Sequence, residues 1–223
     1  MTLRWILLLA VTPMLSGIAQ AQTTGSPASA GTGEYRVYVE FVAHSAFGNA
    51  PSQSYGAEGG FSVVKQLQVF VIAGRTSNVA PATLGMNAQI IAAYLQRTQN
   101  ASVSFSAKEP VTFGVAGLKY VIPTGSRAEP YVMGGAGVAS VSSDVHFLLS
   151  GTDVTSNLAS YGVTLGTDLS GKLTKPMLDF GGGVAWPLWK NIAIDFQYRF
   201  GRILNGNRGI TTQLAGAGLA ARF

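Results

Sequence analysis

Residues 191–201, NIAIDFQYRFG, alternate without a break. Ile192, Ile194, Phe196, Tyr198 and Phe200 stand against Ala193, Asp195, Gln197, Arg199 and Gly201. A period of two puts alternate side chains on opposite faces, so this is a β-strand with one apolar and one polar face. Seven more segments have strand composition: 34–44, 54–64, 67–75, 111–122, 130–141, 177–188 and 209–223. In 34–44, Tyr35, Val37, Val39 and Phe41 oppose Arg36, Tyr38, Glu40 and Val42. In 54–64, Tyr55, Ala57, Phe61 and Val63 oppose Gly56, Glu58, Gly60 and Ser62. In 177–188, Leu178, Phe180, Val184 and Trp186 oppose Asp179, Gly181, Gly183 and Ala185. Segments 67–75 and 111–122 are strands by β-branched and aromatic content, but their facing is ambiguous; in 130–141 glycines hide the phase.

The connections alternate in length. Lys65-Gln66, the stretch 123–129 and Trp189-Lys190 are tight, whereas 45–53, 76–110, 142–176 and 202–208 lie between them, two of these very long. Short turns at one end and long loops at the other are the sidedness of an outer-membrane barrel. A soluble domain gives no reason for it, and long structureless loops inside one count against the assignment. With an even strand number both chain ends fall on the short-turn side. The predicted fold is therefore all-β, an eight-stranded antiparallel up-and-down transmembrane barrel with short periplasmic turns and long outer loops. Within the longest loops, 87–99 places Ile90, Ile91, Tyr94 and Leu95 on one face of a short amphipathic helix, a strand extension being the alternative, and 154–165 predicts a further helical turn.

Composition narrows the class. Of 223 residues, 28 are glycine and 25 are charged, and there is no cysteine, so neither a disulfide nor a thiolate metal site is available. Beyond the N-terminus no apolar run reaches the ~20 residues of a helical span. The first residues carry Arg4, an apolar stretch from Trp5 to Val11 and an Ala19-Gln20-Ala21 cleavage pattern. Residues 1–21 thus read as a secretory signal peptide, 22–33 as a flexible leader and 34–223 as one barrel domain. Losing Arg4 with the signal lowers the net charge from +5 to +4, without Lys/Arg clusters, so nucleic acid is not an expected partner.

The apolar faces are predicted to meet lipid. Tyr35, Tyr55, Tyr120, Tyr131, Trp186 and Trp189 sit toward strand ends, where interfacial rings are favoured. The opposite faces carry Arg36, Glu40, Glu58, Asp179, Asp195, Arg199 and Arg222, the expected polar network of the lumen. A soluble ligand-binding barrel needs those positions apolar. If the first hairpin is centred near Asn49, Glu40 and Glu58 face each other, and Arg199 is the candidate cation between them, with Asp195 one inward step away. An eight-stranded barrel is just wide enough to be filled by side chains, so no large pore is expected.

Candidate chemistry is thin. His44 beside Ser45 invites a hydrolase reading, yet neighbours on a strand point to opposite faces. His146 with Asp144 is a poor metal site. The glycine runs 134–137 and 181–183 lack the helix and lysine of a phosphate loop. No catalytic residue, metal or cofactor is expected.

GVAWPLWKNIAIDFQYRFGRI and the terminal GAGLAARF resemble the last three strands of OmpA/OmpX-type outer-membrane β-barrel proteins, and EPYVMGGAGVA is similar to that family's fifth strand. The resemblance implies insertion into the Gram-negative-type cell outer membrane by the barrel-assembly machinery. The signal read there corresponds to Gly218, Ala221 and Phe223, with Ala221 smaller than the usual residue. Contact with outer-membrane lipid and lipopolysaccharide and a monomeric state are expected, and the family's peptidoglycan-binding domain is not expected, since nothing follows Phe223. The expected role is non-enzymatic: structural, adhesive or ligand-binding through the surface loops. A lipid A-modifying barrel enzyme and a soluble secreted ligand-binding barrel are the alternatives.

Overall fold

The computed structural model describes residues 36–47, 50–166, 169–205 and 209–223. The signal peptide and leader, and Tyr35, lie outside the described residues.

Ten strands and two helices follow in chain order: β1 (Val37–Phe47), β2 (Ser52–Val64), β3 (Leu67–Thr76), α1 (Ala82–Gln99), β4 (Val103–Lys108), β5 (Val111–Val121), β6 (Glu129–Leu149), β7 (Thr152–Asp153), a 3-10 helix (Thr155–Tyr161), β8 (Ser170–Trp189), β9 (Ile192–Ile203) and β10 (Ile210–Arg222). Eight of the strands form an antiparallel ring, β1-β2-β3-β5-β6-β8-β9-β10, each paired with its neighbour in sequence around the wall. The ring closes where β1 meets β10, with Glu40 opposite Ala220 and Ser45 opposite Ala215. All eight lie on the predicted segments. Closure removes every edge in the wall, as a lipid-embedded sheet requires, because no water is present to satisfy an open edge.

The lipid-facing surface follows from the period of two. Phe41, Phe61, Val71, Leu118, Val132, Phe180, Phe196 and Leu219 all point outward and are exposed, one from each strand of the ring. Tyr55, Tyr120, Trp186 and Trp189 join them near the strand ends. Tyr131 departs from its predicted interfacial position: it is buried inside the barrel.

The interior is layered. Toward the long-loop end it is mainly apolar, filled by Val42, Ile72, Phe113, Val115, Val141, Met177 and Ile203 among others, with His44, Ser54, Thr76 and Thr212 buried beside them. This explains the phase that β3 and β5 conceal in sequence. Their inward residues Phe70, Ile72, Phe113 and Val115 are as apolar as the lipid-facing ones, so alternation disappears.

At the long-loop end the wall rises into a cap with its own core. Strands β6 and β8 run several residues past the predicted 130–141 and 177–188, pairing up to Asp144 opposite Ser170. Strand β4, which the sequence pattern does not reveal, pairs with the tip of β6, Phe105 opposite Phe147. Helix α1 covers one face of this projecting sheet. It begins after Pro81 and ends at Asn100, whose left-handed backbone (φ 49, ψ 40) closes the last turn. The helix is thus longer than the predicted 87–99. Its buried face is Leu84, Ala88, Ala92 and Leu95, which pack with Val145, Phe147, Val154, Leu158 and Leu169. Ile90 and Tyr94, predicted on the packed face, instead point away. Small Ala88 and Ala92 let the helix approach the sheet closely, which selects their face over the bulkier one. The predicted helical turn within 154–165 is the 3-10 helix.

Candidate functional site

Two places concentrate functional side chains: a polar layer inside the barrel and the cap above it.

The polar layer lies where inward positions of six strands meet. Across the first hairpin Glu40 is directly opposite Glu58. Glu58 is the hub. It accepts hydrogen bonds from Tyr38 Oη at 2.7 Å, Lys119 Nζ at 2.5 Å and the Arg199 guanidinium at 2.8 Å. The other arm of Arg199 reaches Asp179 Oδ2 at 2.5 Å. Arg199 therefore does bridge two carboxylates with its planar fork, but they are Glu58 and Asp179 rather than Glu40 and Glu58. Glu40 instead accepts a hydrogen bond from Gln197 Nε2 at 3.0 Å. The reason is register: Arg199 lies beside Gly181 on β8, two positions from Asp179 on the same inward face. Arg199 is 1% exposed, so the pair has left water and depends on its full complement of partners.

Asp195 accepts from Tyr131 Oη at 2.7 Å. The Lys119 ammonium stands between two rings, 4.7 Å from the centroid of Tyr38 and 4.6 Å from that of Tyr131. Such sandwiching of a desolvated cation is stabilising. Tyr131 fits because Gly183 faces it; a Cβ there would come within 2.6 Å of the phenol oxygen. Lys119, Tyr38, Tyr131 and Gln197 are absent from the network read off the sequence. Lys119 was hidden by the unreadable phase of β5, Tyr131 read as an interfacial ring, and Tyr38 and Gln197 stood on the polar faces without a charge to single them out. The signal available was the rarity of a lysine in the middle of an apolar strand.

The remaining sequence-predicted network residues sit lower. Arg222 pairs with Glu129 at 2.7 Å near the short-turn end. Arg36 is exposed at that same mouth, apart from the buried layer. Between this mouth and the polar layer lies a vestibule of about 740 Å³, with Glu40, Lys119, Tyr131 and Asp195 at its inner end. Gly218 faces the lumen, whereas Phe223 is exposed on the outer side. The terminal residue is zipped to β1, its carbonyl accepting from Arg36 N at 2.9 Å and its N–H donating to Val37 O at 2.8 Å. His44 is buried in the lumen and Ser45 is exposed on the opposite face.

In the cap, His146 holds two carboxylates, Nε2 to Asp144 at 2.8 Å and Nδ1 to Asp153 at 3.2 Å. Hydrogen bonds from Thr155, backbone N–H among them at 2.8 Å, hold the Asp153 carboxyl below the usual carboxylate range. Thr155 in turn receives the Phe147 N–H on its hydroxyl at 2.9 Å. Among the described residues no group of three or more His, Asp or Glu side chains is placed to hold a metal ion. On the far side of α1, Met86, Ile90 and Tyr94 recur at every fourth residue and are exposed, Ile90 by 69%. They form an apolar stripe turned away from the cap's core.

No protein-family model matches the chain, and no curated protein sequence does. Among solved structures it is similar to Neisserial surface protein A, with 18% identity and a TM-score of 0.54 over 86% of this chain and 98% of that one. It is also similar to a major outer membrane protein from Thermus thermophilus, with 12% identity and a TM-score of 0.50 over 84% of this chain and 99% of that one. At such identities the likeness is one of fold. The chain is an eight-stranded antiparallel transmembrane β-barrel with short periplasmic turns and long outer loops.

Proposed function

We propose that this is a non-enzymatic outer-membrane barrel of the OmpA/OmpX type, exported through the signal peptide 1–21, whose outer cap binds or adheres to a partner. The carrying observation is the cap. Its two long connections fold around their own apolar core, yet leave Met86, Ile90 and Tyr94 uncovered on α1. Exposed apolar stripes on a rigid element are the usual form of an interaction surface. In this reading the apolar wall meets outer-membrane phospholipid and lipopolysaccharide, and the barrel works as a monomer. Gly218, Ala221 and Phe223 serve the barrel-assembly machinery during insertion. The lipid A-modifying alternative finds no support in His44 and Ser45, which face opposite sides of the wall. A soluble barrel is disfavoured by the ring of outward apolar residues.

The absence of cysteine allows a clean test. Ile90→Cys should react with a membrane-impermeant maleimide on intact cells, and Ala193→Cys, buried in the lumen, should not. Pull-downs of envelope and surface components should then lose their captured species in an Ile90→Ser, Tyr94→Ser double variant that folds normally. Labelling only after the outer membrane is permeabilised would defeat the reading.

A further inference from the structure

The polar layer is unevenly matched in charge. Its buried carboxylates are Glu40, Glu58, Asp179 and Asp195, and its buried cations are Lys119 and Arg199. Lys119 and both arms of Arg199 are taken by Glu58 and Asp179. Glu40 and Asp195 form no ion pair of their own: they take neutral donors, Gln197 and the Tyr131 hydroxyl, lie within hydrogen-bond reach of each other, and feel the Lys119 charge only from a distance. Burying two carboxylates without an ion pair costs several kcal/mol each, so the pair calls for either a proton or a bound cation.

The backbone brings this pair together deliberately. Gly218 on β10 is the direct neighbour of Asp195 on β9. The Glu40 side chain comes from β1 on the other side of β10 and lies across Gly218; a Cβ at that position would collide with Glu40 Oε1. A side chain there would push the end of Glu40 out of the cradle in which it reaches toward Asp195. Within it, Asp195 Oδ1 is buried, the residue being 1% exposed, and has no hydrogen-bond donor. Both carboxylates line the inner end of the vestibule that opens to the periplasmic side.

We propose that Glu40 and Asp195 form a binding site for one divalent, oxygen-seeking cation, Mg²⁺ or Ca²⁺, drawn from the periplasm. A single divalent ion neutralises both carboxylates, whereas a shared proton leaves one of them charged. Hard cations of this class take carboxylate oxygens and complete their shell with water, which the vestibule admits. With two protein carboxylates the affinity belongs to the weak end, a dissociation constant on the order of 10⁻⁴–10⁻³ M. The site requires only the closed barrel and is independent of the surface role proposed above.

The test uses the full folded chain in zwitterionic detergent, with Tb³⁺ as a luminescent stand-in excited through tyrosine. Tyr131, hydrogen-bonded to Asp195, is placed to sensitise it. Saturable luminescence displaced by Ca²⁺ is expected, with at least a tenfold loss of affinity in Asp195→Asn and in Glu40→Gln. Asp144→Asn, on the cap, should bind as the parent does. Heat-modifiability on gels verifies that each variant is folded, and the near-isosteric changes preserve the Tyr131 and Gln197 contacts. In parallel, Ca²⁺ should raise the urea midpoint of the parent beyond an ionic-strength-matched NaCl control, and should not do so in Asp195→Asn. Binding unchanged by both substitutions overturns the proposal. So does an acid-dependent stabilisation requiring both carboxylates but indifferent to Ca²⁺ and Mg²⁺, since a proton would then fill the place.

Discussion

Arg199 shows how one side chain can hold the centre of a barrel. Its two arms tie β9 to Glu58 on β2 and to Asp179 on the neighbouring β8, and its guanidinium lies 5.6 Å from the Phe70 ring centroid. Arg199→Leu leaves both carboxylates buried without that partner and should destabilise the barrel by about 3–5 kcal/mol in urea unfolding from lipid vesicles. Combining it with Asp179→Asn should recover part of the loss, because the second change removes the charge the first strands. Strict additivity would show that the two side chains are not coupled. On the cap, Asp153 gives a prediction in pH. Its folded-state carboxyl is held low by Thr155, so the interaction stabilises above the unfolded-state value of about 3.9. That stabilisation is lost as pH falls through the lower folded-state value. The protection factor of the Thr155 amide, its exchange rate corrected for the intrinsic pH dependence, should therefore fall on acidification into that range, and Asp153→Asn should abolish that fall.

At the scale of elements, α1 is held by few side chains, and the narrowness of that contact makes it testable. Leu95 and Ala88 are wholly buried against the projecting sheet, while Met86, Ile90 and Tyr94 are free of it. Leu95→Ala should cost the cap about 2–5 kcal/mol. The expected readout is faster protease cleavage within residues 82–108 on intact cells, with heat-modifiability of the barrel unchanged. Ile90→Ala should leave the cleavage rate near the parent's. The helix existed in the sequence as a spacing pattern, and its packed face only in part: Leu95 and Ile91 lie on it, Ile90 and Tyr94 do not. Leu84, Ala88, Ala92 and Leu95 form a less hydrophobic stripe than one including Ile90 and Tyr94, and the choice between them was made by how closely a sheet could approach.

The whole molecule is open at one end of its interior and filled at the other. Water can enter the periplasmic vestibule as far as the polar layer, and beyond it the apolar side chains around Phe113, Val115 and Ile203 occupy the lumen. Planar-bilayer recordings should consequently show no large, stable conductance; a steady open channel would contradict the filled outer half. Assembly is tested at the same scale. Phe223 joins β10 to β1 through its own backbone at the closing seam. Its deletion should lower the yield of heat-modifiable barrel in the outer membrane, with the remainder cleared from the periplasm.

What the sequence determined alone was the wall. A two-residue period carries its facing wherever lipid and lumen demand unlike side chains, as in β1, β2, β8 and β9, and the alternation of short and long connections carries the sidedness. Glu40 facing Glu58 followed from the same period and one turn centre. The period fell silent in β3 and β5, whose inward Phe70, Ile72, Phe113 and Val115 are as apolar as the side chains facing lipid, and Lys119 went unseen with it. Tertiary structure alone decided which carboxylates Arg199 joins, because that depends on the stagger between β8 and β9 rather than on either strand's pattern. It also decided that β6 and β8 continue beyond the membrane: residues 141–149 keep strand alternation, but only the arrival of α1 and β4 gives their apolar face something to bury against. Local alternation reports what each face of a strand meets; which distant strand supplies the partner is settled when the ring closes.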